Sequence, residues 1–147
     1  NLHFSVPICF EDTFGSDCRL FVKRGAEFFV NISNDSWSKS AVCQKQHLSM
    51  AVFRSVENRI PSVRCTASGE TCAIDSCGKI IAYIPNFSEN FLYAELHIVP
   101  KNEENFTFYT KYGDYFAYIC IFFAGILILF GFTKFLIQRV SKKSANT

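Results

Sequence analysis

A run of eighteen residues without a charged side chain, from Tyr115 to Phe132, constrains this 147-residue chain more than any other feature. Apolar residues resume after Thr133 and Lys134 and continue to Ile137. A helix needs about 20 apolar residues to cross the hydrocarbon core of a bilayer. The pattern therefore predicts one transmembrane helix over residues 115–137. The alternative is a buried core helix, but a chain this small could not cover all faces of such a helix.

The residues that flank this helix indicate its orientation. Arg139, Lys142 and Lys143 follow it, and Lys and Arg accumulate on the cytoplasmic side of membrane helices. We therefore expect a basic cytoplasmic tail over residues 138–147 and an extracytoplasmic location for the preceding part. Residues 106–114 are rich in aromatic side chains, which suits a juxtamembrane segment at the opposite interface. The chain begins without Met or an export segment, so we expect it to be a C-terminal fragment.

Composition excludes several classes of function. A net charge of +2 is too small to indicate nucleic-acid binding. The seven cysteines include no CxxC pair, and His residues do not cluster, so we predict neither a metal site nor a cofactor. The odd number of cysteines leaves the pairing of disulfides open.

Cys9 is the candidate nucleophile. It ends a β-like run over residues 5–9, and Phe10, Glu11 and a helix-forming stretch follow at once. A strand-to-helix turn exposes the sulfur and directs the next backbone N–H groups at an oxyanion. The alternative is an ordinary buried thiol, because free cysteine is among the most buried residue types.

The chain before the apolar run alternates between strand and helix patterns. We predict a first helix capped by Asp12 or Asp17 and stopped by Gly25. The further elements are a strand over 28–33, a helix over 42–58, a strand over 62–66, a hairpin of 71–75 with 79–84, and a strand over 91–98. This alternation is typical of an α/β layered domain, in which Cys9 would stand at the carboxyl end of the first strand.

Two further patterns allow more than one interpretation. Residues 34–38 are rich in turn formers and contain Trp37, which is either a core side chain after an Asx-type turn or part of a site. Arg54 and Glu57 are three residues apart on the second helix, which favours an intrahelical ion pair over a catalytic role.

Several sequence blocks follow one another in a definite order. The blocks are Pro7-Ile8-Cys9-Phe10-Glu11, Asn31-Ile32-Ser33-Asn34-Asp35-Ser36-Trp37, Gln46-His47-Leu48 with Ala51, Phe53-Arg54-Ser55-Val56-Glu57, Arg64 with Ser68-Gly69, Asp75 with Gly78, and residues 108–114. In this order they resemble the carbon-nitrogen hydrolase (nitrilase) superfamily. With the terminal apolar helix, the chain is similar to the membrane-bound apolipoprotein N-acyltransferases within it.

The resemblance implies a fold and a set of site residues. The fold would be part of a four-layer α-β-β-α sandwich, with residues 1–105 as the C-terminal part of the nitrilase-like domain. The superfamily uses a Glu-Lys-Cys triad, and Cys9 matches its nucleophile. The Phe10 backbone N–H would donate to the oxyanion, and Glu11 would support the site. The implied substrate pocket includes Asn34, Asp35, Trp37, Ser68 and Gly69.

The resemblance also implies a reaction. A fatty acyl chain would pass from a phospholipid to Cys9 as a thioester, and then to the N-terminal amine of a lipidated cysteine on an apolipoprotein. Such enzymes belong to the bacterial inner membrane, with the catalytic part on the periplasmic side.

One departure from the family pattern leaves other functions open. Only eight residues precede Cys9, so the triad glutamate and lysine, which lie upstream in the family, have no match here. We expect the missing N-terminal half, or a companion chain, to supply them, and the chain alone to be inactive. The alternatives are a membrane-anchored amidase of the nitrilase type and a non-catalytic fragment of a split or broken gene.

Overall fold

The computed structural model describes the backbone of residues 1–144 and the side chains of residues 1–135. It divides into two units, of which the first is Asn1–Gly113 and the second begins at Asp114. The side chains of the predicted basic tail, residues 138–147, lie outside the described residues.

The first unit contains a five-stranded mixed sheet with helices. Its strands are β1 Phe4–Ser5, β2 Phe28–Asn34, β3 Ser62–Ala67, β4 Thr71–Ile74 and β5 Ile80–Ile84. Its helices are α1 Gly15–Lys23, α2 Ala41–Asn58 and α3 Phe108–Tyr112, with 3-10 turns at Cys9–Thr13 and Glu103–Asn105. The strands lie in sequence order; β1, β2 and β3 are parallel, and β4 and β5 continue antiparallel. The predicted α/β class and the hairpin are confirmed, while the four-layer sandwich stays a prediction.

The topology places α1 and α2 on one face of the sheet. The crossovers from β1 to β2 and from β2 to β3 step in the same direction, and right-handed crossovers then put both helices on the same side. In β2, Phe29, Asn31 and Ser33 are buried, whereas Ile32 on the opposite face is 54% exposed. Side chains on the helix-covered face of β2 and β3 are therefore the ones that can build a buried site.

The core beneath α1 stabilises this arrangement. Cys18 and Val22 of α1 pack against Phe29 of β2 and Ile60, and all four side chains are buried. A second cluster joins Leu48 and Ala51 of α2 to Cys72 and Ile74 of β4. Each large buried side chain contributes roughly 1.5–3 kcal/mol, so the two clusters anchor both helices to the sheet.

The start of the chain differs from the prediction. The β-like run over residues 5–9 is a strand only as far as Ser5, and Ile8 forms a single parallel bridge with Ile32. Pro7 interrupts the ladder because it has no N–H to donate. Cys9 consequently opens a 3-10 turn, Cys9–Thr13, which we call the Cys9 turn.

The predicted caps of the first helix are wrong, but its predicted end is confirmed. The N-cap is Phe14. Asp12 lies inside the Cys9 turn and Asp17 lies inside the helix, so neither of them is the cap. The helix ends at Lys23, and Gly25 follows with a φ of 101°, a left-handed conformation that glycine adopts without strain.

The predicted strand over residues 91–98 is absent. The segment does alternate, since Leu92, Ala94 and Leu96 are half-buried while Phe91 and Tyr93 are 87% and 78% exposed. A strand also requires a neighbour that pairs with its backbone groups, and no strand among the described residues pairs with this segment. The alternating sequence pattern therefore predicted which side chains of this segment are exposed, but not whether the segment pairs with another strand.

α3 connects the first unit to the apolar helix and packs on α1 and α2. The Arg19 guanidinium of α1 donates to the carbonyls of Tyr109, Thr110 and Lys111 at 2.8–3.0 Å. The Thr110 hydroxyl donates to Asn58 Oδ1 at 2.9 Å. The Arg19 bonds give partners to carbonyls at the end of α3, of which the Tyr109 carbonyl also accepts from the Gly113 N–H at 2.7 Å.

α4, Tyr115–Ser144, is the second unit's helix. Its stretch Tyr115–Phe135 is long and apolar enough to cross a membrane, and it is not buried inside the protein. The predicted membrane helix is supported in that sense, by length and composition.

Candidate active site

The Cys9 turn holds its first residue in an uncommon backbone conformation. Cys9 has a φ of 52°, in the left-handed region, and its side chain is half-buried. A non-glycine residue in this region costs roughly 1–3 kcal/mol and persists only where neighbouring groups hold it. Cys9 follows β1 and the Ile8–Ile32 bridge, at the carboxyl end of the parallel strands, where α/β folds place their sites.

Asn31 of β2 is a neighbouring residue that holds the turn by hydrogen bonds to its backbone. Its Nδ2 donates to the carbonyl of Pro7 at 3.1 Å and to the carbonyl of Cys9 at 3.0 Å. Asn31 is only 2% exposed, so water cannot replace either bond. A single buried amide therefore fixes the backbone on both sides of Ile8.

Glu11 also stabilises the turn, through two hydrogen bonds with the backbone of Ile8. Its Oε2 accepts a hydrogen bond from the Ile8 N–H at 2.7 Å, and its own N–H donates to the Ile8 carbonyl at 3.1 Å. The carboxylate itself is on the exposed side of the turn. Glu11 thus supports the backbone that carries Cys9, which is consistent with the supporting role predicted for it.

A buried cluster of four charged side chains lies behind the turn. Asp12, Asp35, His47 and Arg64 are each between 2% and 6% exposed. His47 Nε2 lies 2.8 Å from Asp12 Oδ1, and His47 Nδ1 lies 3.2 Å from Asp35 Oδ1. Arg64 pairs through Nη1 with Asp12 Oδ2 and lies 3.8 Å through Nη2 from Asp35 Oδ2. The cluster links the Cys9 turn to β2, α2 and β3.

The surroundings of His47 raise its pKa above the ordinary value of 6.5. Burial lowers the pKa, but the hydrogen bond to Asp12 and the charges of Asp12 and Asp35 outweigh both burial and the charge of Arg64. In its imidazolium form, His47 supplies a second positive charge beside Arg64, which balances the two carboxylates.

An apolar hollow of about 150 Å³ lies beside the turn. Phe10, Trp37, Cys43 and Met50 line it, and the buried edge of the charge cluster closes it at Asp35 and His47. Trp37 is 68% exposed, so it is not a core side chain, and the Phe10 ring lies 5.3 Å from the His47 ring. The residue that follows Cys9 in the chain, Phe10, is thus part of an apolar surface.

The remaining predicted pocket residues surround Asp35. Gly69 lies against it so closely that a Cβ there would be 2.5 Å from Asp35 Oδ2. Ser68 and Gly69 line a second, more open hollow together with Pro85 and Phe87. Asn34 is exposed and accepts from the Ser36 N–H at 3.1 Å, which is the predicted Asx-type turn. Asp35 and Trp37 thus share one hollow, while Ser68 and Gly69 border the other.

Four residues of the site were not predicted as such, namely Asp12, Asn31, His47 and Arg64. Asn31, His47 and Arg64 stand in the blocks that carry the family resemblance, and Asp12 directly follows the first block. A charge or amide in a buried strand was the available signal, because such groups are rarely buried without partners.

The pair Arg54 and Glu57 lies outside this site. Arg54 Nη2 bonds to Glu57 Oε1 at 3.1 Å within α2, which confirms the predicted intrahelical pair, and Arg54 Nη1 donates to the Thr13 carbonyl at 3.3 Å.

The cysteines of the described residues are all free thiols. Burial raises the pKa of the Cys18 thiol to about 12 and that of Cys72 to about 11, against the opposing charges of Arg54 and Arg64. Neither buried thiol is a nucleophile at neutral pH. Within the described part of the chain, no group of His, Cys, Asp and Glu could hold a metal ion.

Comparison with known proteins identifies the family. The carbon-nitrogen hydrolase profile matches residues 2–99, which contain the sheet, α1, α2 and the Cys9 turn. The chain belongs to the carbon-nitrogen hydrolase family. A solved carbon-nitrogen hydrolase from Helicobacter pylori matches this fold with a TM-score of 0.55 at 16% identity, over 65% of this chain and 44% of that one.

More similar relatives carry a narrower name. Apolipoprotein N-acyltransferase 1 of Treponema denticola is 41% identical over 144 residues, which are 98% of this chain and 25% of that protein. Apolipoprotein N-acyltransferase 1 of Treponema pallidum is 56% identical over 98 residues, covering 67% and 18%. The apolipoprotein N-acyltransferase of Geobacter metallireducens is 39% identical over 129 residues, covering 88% and 24%. The chain spans about a quarter or less of the length of these relatives.

Proposed function

We propose that this chain is the C-terminal part of a membrane N-acyltransferase that matures lipoproteins. The enzyme transfers a fatty acyl chain from a phospholipid, through a Cys9 thioester, to the N-terminal amine of a lipidated cysteine on an apolipoprotein. The observation that carries the proposal is the left-handed Cys9 turn, in which a half-buried thiol is followed directly by Phe10, a residue that lines an apolar hollow. The names of the relatives support the choice of an acyl transfer reaction within the family.

In the first step, the Cys9 thiolate attacks the carbonyl carbon of a phospholipid ester. The new C–S bond forms as the C–O bond to glycerol breaks, and the lysophospholipid leaves after its alkoxide oxygen accepts a proton. The Phe10 backbone N–H, next after the thiol, is our candidate donor to the oxyanion. Glu11 supports this geometry through its bond to Ile8.

In the second step, the apolipoprotein amine attacks the thioester. The C–N bond forms, the Cys9 thiolate leaves, and the amine nitrogen loses a proton. A thioester suits this sequence because it stores the acyl group and yet reacts readily with an amine. The exposed aromatic rim of Phe10 and Trp37, with the hollow beneath it, suits the apolar chain of an acyl group.

The proposal places the other triad groups outside this chain. The family resemblance assigns the general-base glutamate and the lysine to positions upstream of the nucleophile block, and we propose that the preceding half or a companion chain supplies them. The Tyr115–Phe135 stretch would anchor the site to the bacterial inner membrane, with the catalytic part periplasmic and the C-terminus cytoplasmic. We expect residues 1–147 alone to be inactive.

The proposed function is tested by measuring the transfer of an acyl chain to Cys9. The full-length protein in detergent is incubated with a phospholipid bearing a fluorescent acyl chain, and protein-bound label is measured with and without hydroxylamine, which cleaves thioesters. We expect hydroxylamine-sensitive label in the wild type and none in Cys9→Ala. Cys77→Ala is the matched control, because Cys77 is an exposed thiol in the β4–β5 turn.

Two results would contradict the proposal. One is a Cys9→Ala protein that still carries hydroxylamine-sensitive acyl label. The other is wild-type protein that takes up no acyl chain from phospholipid but hydrolyses a small soluble amide, which would favour the membrane-anchored amidase.

A further inference from the structure

The charge cluster behind the Cys9 turn balances only if His47 is doubly protonated. Both ring nitrogens of His47 face carboxylate oxygens, at 2.8 Å on Asp12 and 3.2 Å on Asp35. A neutral imidazole has one N–H and one lone pair, so one of these contacts would set a lone pair against a carboxylate. With His47 charged, two cations and two anions share the buried space.

The cluster acts on the nucleophile through Asp12. Asp12 belongs to the Cys9 turn, three residues after the thiol, and its side chain is held by His47 from α2 and by Arg64 from β3. Asp35, the second partner of His47, also accepts from the Ser33 hydroxyl at 2.7 Å. His47 is therefore hydrogen-bonded both to the turn, through Asp12, and to the end of β2, through Asp35, whereas Arg64 reaches Asp35 only at 3.8 Å.

We propose that His47 is a positioning residue for Cys9, whose imidazolium, bonded to both Asp12 and Asp35, fixes the Cys9 turn in the geometry that accepts an acyl group. This inference rests on the proposed role of Cys9 as the nucleophile. Loss of the imidazolium proton breaks one of the two bonds and leaves the cluster with an uncompensated buried negative charge, which loosens the turn.

The direction of the pH dependence follows from the groups that face His47. Those groups are Asp12 on the turn, Asp35 after β2 and Arg64 on β3, and the Phe10 ring adds an uncharged contact. The net effect of these groups raises the His47 pKa. The imidazolium therefore fixes the Cys9 turn fully at a pH below 6.5, the ordinary pKa of histidine, and this fixation is lost as the pH rises through the raised pKa. Acylation of Cys9 should therefore fall on the alkaline side.

The test is the rate of Cys9 acylation by fluorescent phospholipid, measured in single turnovers from pH 5 to about 9.5 in the full-length protein. His47→Gln keeps a similar length but carries no titrating group. We expect it to acylate about tenfold more slowly at neutral pH and to lack the alkaline fall, as a loss of roughly 1.4 kcal/mol of positioning predicts. His3→Gln is the matched control, because the His3 side chain is exposed, and it should retain the wild-type rate and profile.

The outcomes separate this inference from the function on which it rests. Wild-type protein that forms no Cys9 thioester refutes the proposed function. Wild-type protein that acylates without an alkaline fall, or a folded His47→Gln protein that keeps the wild-type rate or the wild-type fall, overturns the role of His47 alone. If His47→Gln does not fold, Asp35→Asn decides: removing one carboxylate lowers the His47 pKa, so the fall must move to lower pH, and an unmoved fall overturns the inference.

Discussion

Replacement of Asn31 by aspartate tests whether one buried amide holds the nucleophile in place. Asp has almost the same shape as Asn, but its carboxylate has no N–H to give to the carbonyls of Pro7 and Cys9. The change removes the bonds of 3.1 Å and 3.0 Å and sets a negative oxygen against two carbonyl oxygens. The left-handed conformation of Cys9 then loses its support.

The expected magnitude follows from a comparison of two free energies. Each hydrogen bond contributes about 1 kcal/mol net, so the two together contribute roughly 2 kcal/mol. The left-handed conformation of Cys9 costs roughly 1–3 kcal/mol. Because these values are similar, the turn has little surplus stability once Asn31 is lost. A shift of about 2 kcal/mol lowers the population of the acylation-competent turn by roughly 30-fold.

Single-turnover acylation in the full-length protein measures this population directly. We expect the rate for Asn31→Asp to fall by at least roughly 30-fold. Asn102→Asp is the matched control, since exposed Asn102 uses its Oδ1 to accept from the Asn105 N–H at 3.1 Å, which aspartate can also do. A folded Asn31→Asp protein that acylates within about threefold of the wild type would show that other contacts hold the Cys9 turn, and the reasoning would be refuted.

Three further changes probe the surroundings of the site. Gly69→Ala sets a Cβ 2.5 Å from Asp35 Oδ2, and the Asp35 carboxylate is held in place by Ser33 and His47. We therefore expect roughly 1–3 kcal/mol of destabilisation, measured by thermal unfolding, and slower acylation, measured by thioester formation. Arg19→Met removes the donor to three carbonyls of α3, so amide hydrogen exchange over residues 108–112 should accelerate at least about tenfold. Cys18, with a pKa of about 12, has about one thiolate in ten thousand at pH 8, so iodoacetamide should label it far more slowly than exposed Cys77, as mass spectrometry would show.

The elements that the sequence predicted correctly are those whose signal is local. The helix from residue 41 to 58 has an apolar stripe, and the β4–β5 hairpin has a turn of small residues between two apolar runs. Strand pairing, in contrast, depends on a neighbour that may lie far away in the chain. Residues 91–98 have the alternation of a strand but meet no pairing partner among the described residues.

Sequence reasoning singled out Cys9 as the candidate nucleophile but did not find the groups that hold it. Cys9 and Glu11 are two residues apart in one block, so a turn there was predictable. Asn31, His47 and Arg64 come from three different elements and reach the turn only because β2, α2 and β3 pack side by side. Such convergence is a property of topology, and a single sequence without the fold does not show which buried polar residues meet.

The supports of the Cys9 turn differ in one physical respect. Asn31 holds the carbonyls of Pro7 and Cys9 through a neutral amide, which does not titrate and therefore acts equally at every pH. His47 bonds to Asp12 at the other end of the turn and also to Asp35, and the two bonds exist together only while the imidazole keeps its second proton. On our proposal, the amide sets the backbone conformation of Cys9, while the charge cluster makes that conformation conditional on pH. A turn supported only by amides would keep its geometry into the alkaline range, so the buried charges are what would make acylation sensitive to pH.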